Sequence, residues 1–428
     1  MARIVINSWG SYGDIIPYLA LARGLQGRGH HVTLAVPAHF HAEITALGVP
    51  CAPVGPVLDK TTPDPVMVRE AMHPRRGSEY IMRTLLLPPL RETFAQLHDA
   101  TIGADLLVGH TLSFTAPTVA ELLDVRYAST VLMPLAFGSR YEMIAPPQAP
   151  WIKAAEQLGP WVPRFFAWFM RHVSHHWMAP VYRLRRELGL SRGDHPIFEA
   201  QLQAGRTLAM FSRVLATPRP DWSPHTTITG QLHDDALYNT ALSPALASFL
   251  DAGEPPVVFT LGSTAVQVIS RFYEESIAAV EQLGARAVFL AGPETTARLA
   301  HTLPSTMCMV DAAPHSRLFP RARAIVQHGG VGTLGAALSA GVPLVTVPFS
   351  HDQPDNGWRV AQLGVSRTIP IGRYRAAAVH EALASQLTDA AVRRRAAEVG
   401  AIVRAEHGVE TACDILEAYL STPRPSRG

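Results

Sequence analysis

Short apolar runs separated by amphipathic stretches recur along the whole chain, and their spacing predicts its elements. Arg3 to Asn7 reads as a strand, Ile16 to Gln26 as a helix and His31 to Val36 as the next strand, with later strands at Asp105 to Val108 and Tyr127 to Leu132. This alternation predicts a parallel sheet with helices on both faces. The second half repeats the scheme, with strands at Val257 to Thr260, Ala287 to Leu290, Met307 to Val310, Ala324 to Val326 and Leu344 to Val347. Longer helical stretches lie between His73 and Asp99 and between Trp151 and Leu190. Between the two halves, ATPRPDWSPHTTITGQLHDD is rich in proline and polar residues and reads as a linker. The pattern therefore predicts a first domain over 1–215, a linker over 216–240 and a second domain over 241–408, with a last helix from about Val409 to Leu420 and a frayed tail.

Composition narrows the class. A chain of 428 residues suits two domains of about 200 residues each. Its net charge of +2, from 37 basic and 35 acidic residues, gives no reason to expect nucleic acid as a partner. Three cysteines, Cys51, Cys308 and Cys413, are too few and scattered for a disulfide framework or a zinc site, and a reducing cytoplasm is the simplest setting. RIVINSWG opens the chain as a strand, not as a secretory signal, and no apolar run approaches the roughly 18 residues of a spanning helix.

Candidate chemistry concentrates between Gln327 and Gly364. The apolar run Ala324 to Val326 leads into Gly329, Gly330 and Gly332, and GTLGAALSAG follows with helical composition and a glycine stop at Gly341. Such a turn brings backbone N–H groups to a helix N-terminus carrying about half a positive charge, a cradle for phosphate. His328 and Thr333 can add hydrogen bonds to the same oxygens. The next run, Pro343 to Pro348, predicts a further strand with the cluster SHDQPDN at its C-terminal end, the edge where open α/β sheets bind ligands. There the Asp352 carboxylate and Gln353 amide suit sugar hydroxyls. Two other readings stay open for the turn: tight helix–sheet packing, or a dinucleotide site, because Gly330, Gly332 and Gly335 spell G-x-G-x-x-G.

Together with GSYGDIIPYLALARGLQGRGH near the N-terminus and VVFTLGST in the middle, this stretch resembles the nucleotide-sugar signature of family 1 glycosyltransferases, in the His-x-Gly-x-Gly-Thr form of bacterial members. The likeness spans nearly the whole chain. It is strongest to rhamnosyltransferase subunits of bacterial rhamnolipid synthesis and extends to antibiotic and sterol glycosyltransferases. The resemblance implies a GT-B fold, α/β, with two Rossmann-like doubly wound parallel-sheet domains facing across a cleft. The first would bind acceptor and the second the donor, with the 409–428 segment packing back on the first.

Roles follow from the resemblance. Asp14, in the glycine-containing loop after the first strand, falls where many bacterial members carry their catalytic base; by spacing alone it is equally a helix cap. His110, after a later strand, falls near the residue that orients the base in plant members, and is otherwise a structural histidine. Gly262, Ser263 and Thr264, at the end of strand Val257 to Thr260, would join the phosphate cradle, and backbone near Ala313 and Pro314 would meet the base. Ala336 stands where plant enzymes place a ribose-gripping Glu, which tilts the donor from UDP-sugar toward dTDP-sugar. With no Asp-x-Asp motif, the resemblance implies an inverting, metal-independent transfer of a sugar such as rhamnose or glucose, with no cofactor beyond the donor.

The acceptor is less legible. The insert WVPRFFAWFMRHVSHHWMAPVYRLRRELGL mixes aromatic residues with arginines and histidines, suiting a lipophilic hydroxylated acceptor (hydroxy-lipid, polyketide, terpenoid or phenolic) or peripheral contact with the inner membrane face, and equally a pair of covering helices. Arg171, Arg183, Arg185 and Arg186 could attract an acidic lipid. His172 and His176 have i, i+4 metal-ligand spacing without a third ligand. Two further function classes stay in view, a non-catalytic nucleotide-sugar-binding auxiliary protein and a dinucleotide oxidoreductase; turnover separates the first and NAD binding the second.

Overall fold

The computed structural model describes residues 1–57, 64–147, 149–200, 204–233, 241–262 and 271–423. Its strands fall into two sheets, both wholly parallel. The first contains β1 (Arg3–Asn7), β2 (His31–Val36), β3 (Cys51–Pro53), β4 (Leu106–His110), β5 (Arg126–Val131), β6 (Arg206–Ala209) and β7 (Thr226–Ile228), in the order β3-β2-β1-β4-β5-β6-β7. The second contains β8 (Val257–Thr260), β9 (Ala287–Leu290), β10 (Met307–Val310), β11 (Ala324–Gln327), β12 (Leu344–Thr346) and β13 (Ser366–Thr368), in the order β10-β9-β8-β11-β12-β13.

Both faces of each sheet are covered. On β1, Ile4 and Ile6 join one apolar cluster while Val5 between them joins another, which is how a continuous apolar run satisfies the two-residue period of a buried strand. Strand order reverses between β1 and β4 in the first sheet and between β8 and β11 in the second. A crevice opens at such a point beyond the strands' C-terminal ends, because the connections leave toward opposite faces.

Seven helices bear on the crevice and its borders: α1 (Tyr12–Gly27), α2 (Pro65–Ala71), the single turn α3 (Gly77–Tyr80), α4 (Trp161–His175), α5 (Val331–Ala340), α6 (Gln353–Gln362) and α7 (Gly408–Ser421). The last packs on α1, burying Ala412, Cys413 and Leu416 in the apolar cluster of Leu21 and Leu25. Arg28 at the end of α1 pairs there with Glu417 at 2.7 Å.

Two features depart from the pattern-based reading. The stretch read as a linker contains β7, whose Thr226–Ile228 pairs with β6 and closes the first sheet. Its three polar-flanked residues carry no apolar run to announce a strand. Moreover, α2 belongs to the first half by sequence, yet Val68 and Met72 are buried in the second sheet's cluster with Val347, Phe349 and Ile369.

Candidate active site between the two sheets

The two reversal points face one another. The loop leaving β1 enters α1 and the loop leaving β11 enters α5, and a Cβ placed on Gly332 in the first turn of α5 would stand 3.7 Å from the Gly13 Cα of α1. Two helix N-termini thus converge, each with first-turn N–H groups that have no intrahelical partner and each adding positive potential.

Asp14 lies in the first turn of α1 and is partly buried. Its Oδ2 accepts hydrogen bonds from the Ser11 N–H at 2.8 Å and the Ser11 hydroxyl at 3.0 Å. So Asp14 does contribute to capping, although Ser11 occupies the cap position. A side chain at Gly10 (φ +139°) would come within 2.3 Å of Oδ2, so the loop tolerates only glycine beside the carboxylate. Burial pushes the Asp14 pKa above its ordinary value, against the Ser11 hydrogen bonds that lower it. A carboxylate so placed is both oriented and more basic than one in water.

His110 ends β4 and is buried, and burial pushes its pKa down to about 4, so its ring is neutral near pH 7. The ring lies edge-on to Tyr18, one helical turn beyond Asp14, with centroids 5.7 Å apart. Among the described residues no hydrogen bond joins the His110 and Asp14 side chains.

On the opposite side, His328 follows β11, and glycine makes room for its ring on two flanks. A Cβ at Gly330 would come 2.3 Å from His328 Nε2 and one at Gly262 (φ +69°) 2.7 Å from Cε1. These two glycines therefore serve the imidazole as well as the backbone turn. Burial, with the nearby His315, pushes the His328 pKa down to about 4. Its Nδ1 is buried without a hydrogen-bond partner, an arrangement that costs free energy unless a ligand completes it. Gly330 caps α5 with no side chain, so the first-turn N–H groups up to Thr333, which is buried, stay available. Ala313 and Pro314 sit beyond β10 at the same sheet edge, with Ala313 packed into the core, so only their backbone is offered. Ser263 and Thr264 lie outside the described residues.

The loop before α5 is anchored by amides that the motif reading passed over. Gln327 accepts from the Gly329 N–H and donates to Thr346 Oγ1 at 3.0 Å. Asn356, one turn into α6, donates to the Gly329 carbonyl at 2.9 Å and to Asp352 Oδ2 at 2.6 Å. Gln231 reaches from beyond β7 to the Val331 and Gly332 carbonyls at 3.3 and 3.2 Å. A side chain at Gly335 would collide with Gln231 Oε1, so the third glycine of G-x-G-x-x-G serves this packing. No sequence signal separates these amides from ordinary polar residues.

Asp352 and Gln353 sit where the strand-end rule expects them. Burial first, and the charge of Asp14 among lesser causes, raises Asp352 to about 7 against the bond from Asn356, so the two carboxyls share one electrostatic site. Gln353 is only half available: its Oε1 accepts from the Phe349 and Ser350 N–H groups at 2.9 and 3.2 Å, so only its NH₂ could serve a ligand.

Further along α6 a buried ionic cluster ties the halves together. Arg359 donates to Asp355 at 2.7 Å, to Glu142 at 2.9 Å and to the Leu215 carbonyl at 3.0 Å, and Asp355 accepts from the Ala145 N–H at 2.8 Å. The loop around Glu142 is thus fixed against α6.

The reading of the insert's arginines changes. Arg185 is buried on Glu121 and the Ser191 carbonyl, and the half-buried Arg171 pairs with Glu199 and lies over Phe198, so both hold the fold together and neither is a free cation. Among the described residues no group of three or more His, Cys, Asp or Glu could hold a metal, His172 and His176 included. No described helix is long and apolar enough to cross a membrane.

Residues 4–120 match the profile of the glycosyltransferase family 28 N-terminal domain, and residues 275–416 that of the C-terminal domain of erythromycin biosynthesis protein CIII-like sequences. The chain is 32% identical over 437 residues to the O-mycaminosyltylonolide 6-deoxyallosyltransferase of Streptomyces fradiae, covering 98% of each. Among solved structures it is similar to the spinosyn forosaminyltransferase SpnP (TM-score 0.72, 16% identity, 98% and 100% of the two chains). It is also similar to the glycosyltransferase SsfS6 of Streptomyces sp. SF2575 complexed with thymidine diphosphate (TM-score 0.62, 18% identity, 98% and 100%).

Proposed function

The chain belongs to the family 1 glycosyltransferases of GT-B fold and is a nucleotide-sugar-dependent glycosyltransferase, and from that premise we propose that it moves a 6-deoxyhexose from a dTDP-sugar to a hydroxyl of a lipophilic acceptor, with inversion and without a metal. The observation that carries this reading is the pairing of a desolvated carboxylate on α1 with an anion-ready helix N-terminus on α5.

In the proposed reaction Asp14 takes the proton of the acceptor hydroxyl as its oxygen bonds to the anomeric carbon. The bond to the diphosphate breaks on the opposite face, and configuration inverts. His328 donates to the departing diphosphate as a neutral ring, with the first-turn N–H groups of α5 beside it, and the α5 N-terminus supplies positive potential that a metal would otherwise provide. Asp352 and the Gln353 NH₂ take sugar hydroxyls. A dTDP donor is supported by Ala336, a methyl where ribose recognition would want an acceptor, and by the deoxyhexose in the name of the Streptomyces fradiae relative.

The acceptor side presents a continuous aromatic surface. Trp161, Phe165, Trp168, Phe169 and Val173 lie on one face of α4, and Trp161 and Trp168 are about 60% exposed. No acidic residue occurs from 157 to 186, and Arg164 is exposed beside the stripe. This charge pattern fits an anionic lipid surface, where tryptophan settles at the headgroup level. Cosedimentation with phosphatidylglycerol vesicles, abolished in Phe165→Ser/Trp168→Ser, is the expected result; no binding, or a dimer lost in the same variant, overturns it.

Nucleotide release from a panel of dTDP- and UDP-sugars, read with mixed polyketide, hydroxy-lipid and phenolic acceptors, tests the main proposal. Faster release from a dTDP-6-deoxyhexose, unaffected by EDTA and giving product of opposite anomeric configuration, is expected. Preference for UDP-glucose, or dependence on a divalent cation, would remove it.

A further inference from the structure

The turn that carries Asp352 is gripped from the other half of the molecule. Its preceding residue, His351, has φ +57°, the left-handed region where a side chain meets its own backbone. Among the described residues only Asp124, at a helix C-terminus, shares a positive φ without being glycine. A histidine persists there when its side-chain contacts outweigh the strain, and such outliers cluster at functional positions.

Those contacts come from a segment that belongs to the first half by sequence. His351 Nδ1 stands 3.0 Å from Ser78 Oγ on α3, and the ring also bonds toward the Ala71 carbonyl at the end of α2. Gly77 completes the seat: a Cβ there would come 2.2 Å from Ala71 O and 3.2 Å from His351 Cε1. Burial pushes the ring's pKa down to about 4, so it is neutral and its nitrogens divide their work. One accepts the Ser78 O–H; the other donates to Ala71 O. Beside it, Ser350 Oγ donates to Met72 Sδ at 3.9 Å, and Met72 with Val68 is already buried among second-sheet side chains.

We propose that His351 is a positioning residue for the donor sugar: seated on Ala71, Gly77 and Ser78, it holds the turn in its left-handed form and thereby aims Asp352 and Gln353. This rests on the reading of those two residues as sugar contacts. It makes donor-sugar geometry depend on the α2–α3 arm, which belongs to the first half by sequence, while the phosphate loop after β11 has its own braces in Gln327 and Gln231 and shares Asn356 with Asp352.

Substitution separates ring from backbone. His351→Gly keeps the left-handed conformation without the ring, His351→Asn keeps both a tolerant backbone and a hydrogen-bonding group, and Ser78→Ala removes one partner. The readouts are KM for intact sugar nucleotide at saturating acceptor and Kd for free dTDP, which also reports folding. His351→Gly and Ser78→Ala should raise donor KM about five- to tenfold, the size of one or two lost neutral hydrogen bonds, with dTDP affinity unchanged and partial recovery in His351→Asn. Wild-type donor KM in His351→Gly, or equal loss of dTDP and sugar-nucleotide affinity, overturns the proposal. Asp352→Ala run in parallel guards the premise: if it leaves donor KM unchanged, the sugar-contact reading itself fails; if it raises KM while His351→Gly does not, only the role of His351 fails.

Discussion

The turn after β1 and the turn after β11 are the same device built twice, a strand running into a helix at a reversal point, yet they are held and charged in opposite ways. The first holds itself: Ser11 binds the Asp14 carboxylate within one turn of chain, and Gly10 leaves space beside it. The second is held from outside, by Asn356 from α6 and Gln231 from beyond β7, and presents a neutral imidazole with a bare helix end. A self-contained turn can fix one reactive atom. An externally braced turn can keep several N–H groups aligned for an anion. In the proposed reaction, proton transfer accordingly belongs to the first turn and diphosphate binding to the second.

That division can be broken in order of expected effect. Asp14→Asn keeps an acceptor for Ser11 but removes the base, and turnover should fall by about 10²–10⁴ in a steady-state nucleotide-release assay. Wild-type Asp14 must be ionised to act, and burial raises its pKa, so the acidic limb of kcat/KM should lie above the ordinary value of 3.8. His328→Ala should weaken dTDP binding about tenfold to a hundredfold by titration calorimetry, the worth of a hydrogen bond to a charged group, with less effect on the acceptor.

Asn356→Ala removes a brace from the second turn while leaving Asp352 and the Gly329 carbonyl without it. Thermal or urea unfolding should show a loss of about 1–3 kcal/mol, with a modest fall in donor affinity. The smallest effect concerns pH. Asp352 holds its proton more tightly in the folded chain, to about 7 against 3.8, so between those values the folded state carries the extra proton. Its contribution to stability is present below 3.8 and is lost as pH rises through about 7; Asp352→Asn should flatten that part of the stability profile.

Legibility in the sequence follows burial. Strands such as Val257–Thr260 and Ala287–Leu290 are wholly buried apolar runs and stand out, whereas Cys51–Pro53, Thr226–Ile228 and Ser366–Thr368 are three-residue strands of mixed polarity and do not. Asp14, His328, Asp352 and Gln353 were legible as candidates, the last three because strand ends and glycine turns mark ligand edges and Asp14 through the family resemblance. What they do with each lone pair was not: Gln353 spends its carbonyl on Phe349 and Ser350. Gln231, Asn356 and His351 act through long-range contacts, and Val68 and Met72 look like the face of any amphipathic helix until the second sheet is seen behind them. Long-range partners leave no periodicity in a single chain.

The division of labour between the two turns is tested most directly by titrating dTDP into Asp14→Asn, whose turnover is expected to be lost. Affinity equal to wild type within about twofold is the predicted result. A tenfold or greater loss, about 1.4 kcal/mol, would mean that the first turn binds the diphosphate and would contradict the account.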